Sequence, residues 1–229
     1  MTISKHLRTS RLIGTLEYYM RPALFDMWGA AFNGQCFRQV MFMDLIQTCQ
    51  FDAIVEAGTF RGSTTRFFAR SAQIPVYSSE VNPRFHAYAT RRLEKFGTVQ
   101  LFLKDSRRFL RELQLDKDLR LFFYLDAHWS DDLPLREETE FIFKAFTNFV
   151  VMIDDFEVTN DPAYGFDDYG PGKRLSLSDF AFHQDARVRC YFPSRAGRAE
   201  SGSQRGCIVL ASTSLAERID NLPTLAKIK

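Results

Sequence analysis

The sequence predicts an α/β protein built on a doubly wound, mostly parallel sheet with helices on both faces. Three observations carry this. Between residues 53 and 154 short apolar runs alternate with amphipathic helical stretches, the pattern of repeated βαβ units. A glycine-containing turn, Val55-Glu56-Ala57-Gly58-Thr59-Phe60-Arg61-Gly62-Ser63-Thr64-Thr65, follows directly on the first run. Acids then recur where later runs end, at Glu80, Asp126 and Asp154-Asp155.

Residues from about 10 to 49 read as helices interrupted at Pro22 and near Asn33-Gly34, with Leu12, Leu16, Tyr19, Phe25, Trp28, Phe37, Met41 and Leu45 as apolar positions. Residues 1–50 are therefore expected to form an N-terminal helical cap. Strands are expected at 53–57, 75–80, 98–103, 120–126 and 149–154, and helices at 62–72, 83–96, 106–114 and 134–147. Residues 155–174 carry no regular pattern but are rich in Tyr, Phe, Gly and Asp, which suits a lid or acceptor-site loop. A helix near 175–183 and strands at 187–192 and 206–211 follow. The Gly/Ser/Arg connection between those two strands has no helical pattern, so they are expected to pair antiparallel. The main domain spans 51–212, and 213–229 reads as a surface tail.

The 229 residues, with 45% hydrophobic side chains and 23 phenylalanines, suffice for one sizeable core. A net charge of +2, with Arg91-Arg92 and Arg107-Arg108 on expected helices, gives little support for a nucleic-acid partner. Cys36, Cys49, Cys190 and Cys207 lack metal or disulfide spacing and are expected as buried free thiols in a reducing compartment. With neither a membrane-length apolar run nor a signal-peptide core, a cytoplasmic protein without a membrane partner is expected. A homodimer stays open.

In the turn, Gly58 is placed for a positive φ and Gly62 for close approach of a ligand, while Ser63 and Thr64 are expected to cap the next helix. The spacing is neither G-x-G-x-x-G nor a Walker loop, which disfavours a phosphate ligand. Glu56, directly before the glycines, instead suits a ligand bearing an ammonium and a sulfonium, as S-adenosylmethionine does. The plainer alternative is an ordinary βα turn with a solvated acid.

The carboxyl ends of parallel strands gather at one edge, where ligands bind. Glu80, 24 residues after Glu56, is placed to accept from ribose hydroxyls. Asp105 and Ser106 are placed beside an adenine, helix capping being the alternative for Asp105. Asp126, Asp154 and Asp155 offer three hard oxygen ligands for Mg²⁺ or a similar divalent cation; capping by Asp154 or Asp155 with cofactor contact by Asp126 is the other possibility. His128 is a candidate general base, and Trp129 a wall of the acceptor site or a core plug. His6 and His183 are assigned no chemistry.

Together Val55-Glu56-x-Gly58-x-x-x-Gly62-x-Ser/Thr, Glu80-Val81-Asn82-Pro83, Asp126 with His128-Trp129, and Asp154-Asp155 resemble class I S-adenosylmethionine-dependent methyltransferases. The closest likeness is to metal-dependent O-methyltransferases of the catechol and macrocin type, over residues 51 to 157. The resemblance implies a Rossmann-like three-layer αβα fold with strand order 3-2-1-4-5-7-6. It also implies a cofactor site of Glu56, Gly58, Thr59, Gly62, Ser63, Glu80, Asp105, Ser106 and Asp126, and a cation on Asp126, Asp154 and Asp155; Asp126 and His128, the latter by its place beside the candidate metal acids, are expected to carry the catalysis. The acceptor would be a small-molecule hydroxyl, of a sugar, phenol or natural product; the loop from Tyr164 to Arg174 has no family counterpart, and on its own aromatic and acidic content Tyr164, Asp168 and Tyr169, with Trp129, are expected to hold that acceptor. The chain departs from the catechol type in offering His128 where a lysine follows the first metal acid, and Asp154-Asp155 where an Asp-Asn pair stands. A metal-dependent hydroxylase on the same fold and a non-catalytic cofactor-binding protein remain alternatives.

Overall fold

The computed structural model describes residues 10–128 and 132–228. Its strands are β1 (Ala53–Ala57), β2 (Val76–Ser79), β3 (Val99–Phe102), β4 (Arg120–Leu125), β5 (Asn148–Asp154), β6 (Val188–Pro193), β7 (Cys207–Ser212) and β8 (Leu225–Lys227). They form one sheet in the order β3-β2-β1-β4-β5-β7-β6-β8. Strands β1 to β5 pair in parallel, whereas β7 runs antiparallel to β5 and to β6. The helices are α1 (Arg11–Met20), α2 (Cys36–Cys49), α3 (Ser63–Ala72), α4 (Pro83–Leu93), α5 (Ser106–Glu112), α6 (Leu135–Ala145), α7 (Leu177–Phe180) and α8 (Thr213–Ile219). The expected order is observed and extended by β8.

Central strands are buried on both faces, so alternate residues enter separate cores. On β4, Leu121, Phe123 and Leu125 pack beneath α5 and α6 with Leu110, Leu135 and Ile142. Phe122 and Tyr124 face the other way, toward α2, α3 and α8. There Phe32, Phe42, Phe68, Phe122 and Tyr124 form a contiguous ring cluster with centroid separations of 4.8 to 6.0 Å. Edge-on and tilted rings at such distances add attraction beyond area burial.

The two ends of the chain differ from expectation for the same reason. Met41, Phe42, Leu45 and Cys49 of α2 are buried in this second core, so α2 is part of a helix layer rather than a cap. Only α1 lies outside that layer, against α4, where a Cβ on Gly14 would meet the Arg84 carbonyl oxygen at 1.9 Å. At the other end, Leu215, Ala216, Ile219 and Leu225 are buried, and β8 pairs antiparallel with β6. The expected surface tail therefore completes the sheet; seven helical and three strand residues are too few to show a period in the sequence. Of the four free thiols three are buried, but Cys36, at the first position of α2, is exposed. Among the described residues no helix is long and apolar enough to cross a membrane.

If α2 is a core layer, Phe42→Ala should lower unfolding free energy by about 3–5 kcal/mol. Urea denaturation checks this, and a detachable cap would show almost no change.

Candidate functional site

The glycine turn is held by its neighbours. Glu56 shares a strand face with Ile54, so its side chain points toward α3 and is fully buried. Its Oε2 accepts from the hydroxyls of Thr65, at 2.5 Å, and Ser78, while its Oε1 is buried without a partner. Burial pushes this carboxyl up to about 7 against the pull of the two hydroxyls, and nearby Glu80 adds to the rise. Glu80, on the neighbouring strand end, accepts from the Phe60 N–H and the Asn82 N–H, both at 2.7 Å. Burial raises it too, to about 7, against those backbone donors.

Gly58 has φ +100°, and a Cβ there would fall 2.3 Å from the Asp126 carbonyl oxygen. The glycine thus lets β1 and β4 close together at their ends. Gly62, at φ +74°, faces Leu93 of α4, whose Cδ1 lies 2.9 Å from where a Cβ would stand. The expected ligand approach at Gly62 is corrected to close helix packing. The expected capping hydroxyls are also used elsewhere, because the N-cap residue is Gly62 without a side-chain bond. Ser63 Oγ accepts from Arg92 at 2.9 Å, Thr64 Oγ1 accepts from the Phe32 N–H at 3.3 Å, and Thr59 Oγ1 lies 2.5 Å from Ser78 Oγ. These residues brace the turn, while Glu56 and Glu80 carry its charge.

Phe60, between the two glycines, has φ +49°, a strained conformation for an aromatic residue. Its ring is stacked on Trp28 at 5.2 Å and an interplanar angle of 12°, and meets Phe85 edge-on at 4.6 Å. Trp28 is itself at φ +60° and is 52% exposed. Such strain gathers at functional sites when surroundings enforce it. In sequence Trp28 is marked only as an apolar position of the N-terminal helices.

Asp105 is the N-cap of α5 and accepts from the Arg107 N–H at 3.0 Å and also from the Arg107 side chain. The capping alternative is the one seen, and Arg107 continues to Asp132. Ser106 is buried beside Glu138, whose carboxyl burial raises to about 7 against the Ser106 hydrogen bond.

The acidic cluster assembles differently from the expected trio. Asp154 shares its strand face with Val150 and Met152 and so points toward α2. There it receives Arg38 in a fully buried ion pair and the Tyr124 hydroxyl at 2.7 Å. With both oxygens engaged, Asp154 is not placed as a cation ligand. Asp155 follows at φ +53°, a turn that brings its carboxylate to the opposite side. Asp126, His128 and Asp155 each bring one ligand atom to within 4.8 Å of the others'. His128 Nε2 is buried without a hydrogen-bond partner, 3.9 Å from Asp126 and 3.8 Å from Asp155. Burial, then crowding by Asp154 and Asp155, pushes the Asp126 carboxyl well above its usual range. Since 35% of that side chain meets solvent, crowding is the part that least depends on burial. Asp155 moves the other way, because His128 and Arg205 outweigh its burial.

An orphaned imidazole nitrogen between two carboxylates fits a small divalent cation. The donor set is mixed N and O, which suits Mn²⁺ or Zn²⁺ better than the all-oxygen trio expected for Mg²⁺.

Arg38 and Arg205 were not singled out by sequence reasoning. Arg38 donates to Asp154 and to the Arg205 carbonyl; Arg205 donates to Asp155 at 2.5 Å and to Asp167. The period-two face of β5 was the available signal that Asp154 looks toward α2. The loop over 155–174 is tied down by the Asp167 N–H to the Asp155 carbonyl and by the Leu175 N–H to the Asp167 carbonyl. Tyr164 is 4% exposed, with its hydroxyl on the Arg195 carbonyl at 3.1 Å, so it is a core residue rather than an acceptor contact. Tyr169 donates to Asp167, and Asp168 is exposed, 3.5 Å from Arg174. Trp129 lies outside the described residues.

No family model matches the sequence, and no curated protein does. Solved structures match its fold. The S-adenosylhomocysteine-bound methyltransferase PaMTH1 of Podospora anserina superposes with a TM-score of 0.60 at 14% identity, covering 89% of this chain and 87% of its own. The O-methyltransferase of Bacillus cereus, in complex with S-adenosylhomocysteine, gives 0.56 at 17% identity over 78% and 81%. The O-methyltransferase TomG of Streptomyces achromogenes, involved in tomaymycin synthesis and bound to S-adenosylmethionine, gives 0.56 at 18% over 77% and 79%. The chain therefore has the Rossmann-like fold of the S-adenosylmethionine-dependent methyltransferases.

Proposed function

We propose that this protein is an S-adenosylmethionine-dependent methyltransferase acting on a small-molecule hydroxyl with the help of a divalent cation. The observation that carries the reading is the convergence, on one sheet edge, of two groups with complementary needs. The buried acids Glu56 and Glu80 flank the Gly58 turn, and the Asp126–His128–Asp155 group closes the end of the neighbouring strands. The first pair suits a positively charged adenosyl ligand with ribose hydroxyls, the second a cation and an acceptor oxygen.

Bound S-adenosylmethionine supplies an electrophilic methyl group on sulfur, and a bound divalent cation supplies Lewis acidity to an acceptor hydroxyl. The chain's own task is alignment and charge. Glu56 offers its free Oε1 to a ligand ammonium, and Glu80, braced by two backbone N–H groups, retains lone pairs for ribose hydroxyls. Arg205 fixes Asp155, and Arg38 fixes Arg205 through its carbonyl, so the acceptor edge is pre-positioned. Asp126, its carboxyl raised above that of an ordinary aspartate and so a stronger base once ionised, is placed to take the proton that the acceptor oxygen loses.

A second reading is favoured by Arg205, which already lends Asp155 a positive charge. In it His128 Nε2 receives the acceptor proton itself, and no cation is needed. The two readings assign that one nitrogen to different jobs. The four free thiols suit a reducing, cytoplasmic setting.

Calorimetric titration with S-adenosylhomocysteine should show saturable binding, weakened at least about tenfold by Glu80→Gln, since a buried charged acceptor contributes roughly 1.5–3 kcal/mol. Absence of binding by the wild type rejects the methyltransferase reading. Labelled S-adenosylmethionine incubated with a library of sugars, phenols and other hydroxyl compounds should transfer label to an acceptor. EDTA should abolish that transfer and Mn²⁺ restore it; full activity in EDTA assigns His128 as the base instead.

The acids also set a pH dependence. Glu56 and Glu80 keep their protons to about pH 7 when folded, whereas their ordinary value is 4.5. Between those values the folded state binds more protons, so their contribution to stability is fully present below 4.5 and is lost as pH rises toward 7. Urea midpoints should fall across this window, less steeply for Glu56→Gln; identical slopes would show that Glu56 does not titrate there.

A further inference from the structure

A cavity of about 370 Å³, lined by Gln39, Ser63, Arg66, Arg70, Ser71 and Arg92 among others, runs along the outer face of α3. Its size is within the ordinary range for a small-molecule pocket. The lining holds three guanidinium groups and no acid. Arg66 and Arg70 stand one turn apart on a helix that has no acidic residue at all, an arrangement that repels. Arg92 reaches in from α4 and is only 7% exposed.

Among the described residues, none of these three arginines has a carboxylate within ion-pair distance, although sixteen arginine–carboxylate pairs occur elsewhere among them. Arg92 Nη1 donates to Ser63 Oγ at 2.9 Å and the Arg61 carbonyl at 3.3 Å, both neutral, and its Nε is buried without a partner. Burial lowers its pKa, against a rise from Tyr88; the Arg66 charge lowers it further, and Asp26, too far for an ion pair, offsets part of that. A buried cation with no carboxylate in ion-pair contact is costly. Aligned arginines in a concave site match the oxygens of a phosphoryl group, two at a time. A monocarboxylate would balance only one of the three charges.

We propose that this groove is an anion site for a small phosphate-bearing molecule, separate from the turn at Gly58. The ligand's phosphoryl group is the shared chemistry, whether it arrives as free phosphate or pyrophosphate or on an organic metabolite. The site is defined by Arg66, Arg70 and Arg92 and does not depend on the methyl-transfer reading.

The test is calorimetry on the full chain with phosphate, pyrophosphate, glucose 6-phosphate, glucose and ionic-strength-matched NaCl, each with and without saturating S-adenosylhomocysteine. Saturable binding of one or more phosphate compounds, but not of glucose, is expected, with affinity unchanged by S-adenosylhomocysteine. Stronger binding of glucose 6-phosphate than of the inorganic ions identifies an organic phosphate, and the reverse a free one. The paired substitution Arg66→Gln with Arg70→Gln, on exposed and half-exposed positions, should weaken binding at least tenfold and leave S-adenosylhomocysteine affinity and melting temperature in NaCl within error. The proposal is overturned if only NaCl-like heats appear, if the double variant binds phosphate as the wild type does, or if S-adenosylhomocysteine displaces the anion. Tighter binding of a short single-stranded RNA than of every small phosphate would likewise replace it with a nucleic-acid surface.

Discussion

Mutual repulsion among carboxylates at one edge of the sheet is the constraint around which the molecule is arranged. Parallel strands deliver Glu56, Glu80, Asp126, Asp154 and Asp155 to the same edge, and each needs an answer to its charge. Glu56 has two hydroxyls, Glu80 two backbone N–H groups, Asp154 an arginine and a tyrosine, and Asp155 a second arginine. Among the described residues Asp126 alone of the five has no donor nearer than the His128 ring at 3.9 Å. The uncompensated points, Asp126 and the Oε1 of Glu56, therefore mark where a positively charged ligand and a cation bring the largest electrostatic gain.

The answers come from distant parts of the chain, which is why the N-terminal helices are integral. Arg38 on α2 crosses to Asp154 and also holds the Arg205 carbonyl; Arg205 in turn clasps Asp155 and Asp167. A single connected set of charges thus joins α2, the end of β5, the loop after it and the approach to β7. Removing one partner of such a buried pair strands the other, at a cost of about 3–5 kcal/mol. The same set explains why residues 155–174 are secured close to the site instead of standing free as a lid.

Much of this was legible in sequence because periodicity speaks for strands and helices that bury a face. The alternation from residue 53 to 154 announced the parallel strands, and the glycine after Glu56 announced the turn. What could not be read was partner choice. Arg38 sits in an otherwise unremarkable helical stretch, and nothing local says that it faces Asp154 rather than water. Tyr164 looked like a loop aromatic because its inward direction depends on Arg195, far along the chain. The division of labour between Asp154 and Asp155 turns on one left-handed backbone angle. Gly62, Thr59 and Ser63 show the converse: residues that carry a ligand motif by type serve here to pack and brace it.

Proton release on cofactor binding tests the central claim most directly. Calorimetry of S-adenosylmethionine binding at about pH 6, in buffers of different ionisation enthalpy, counts protons exchanged with solvent. At that pH Glu56 and Glu80 are mainly protonated, and a cationic ligand favours their ionisation. The account predicts net release of a sizeable fraction of a proton, diminished in Glu56→Gln. Binding with no release, or with uptake, would contradict it.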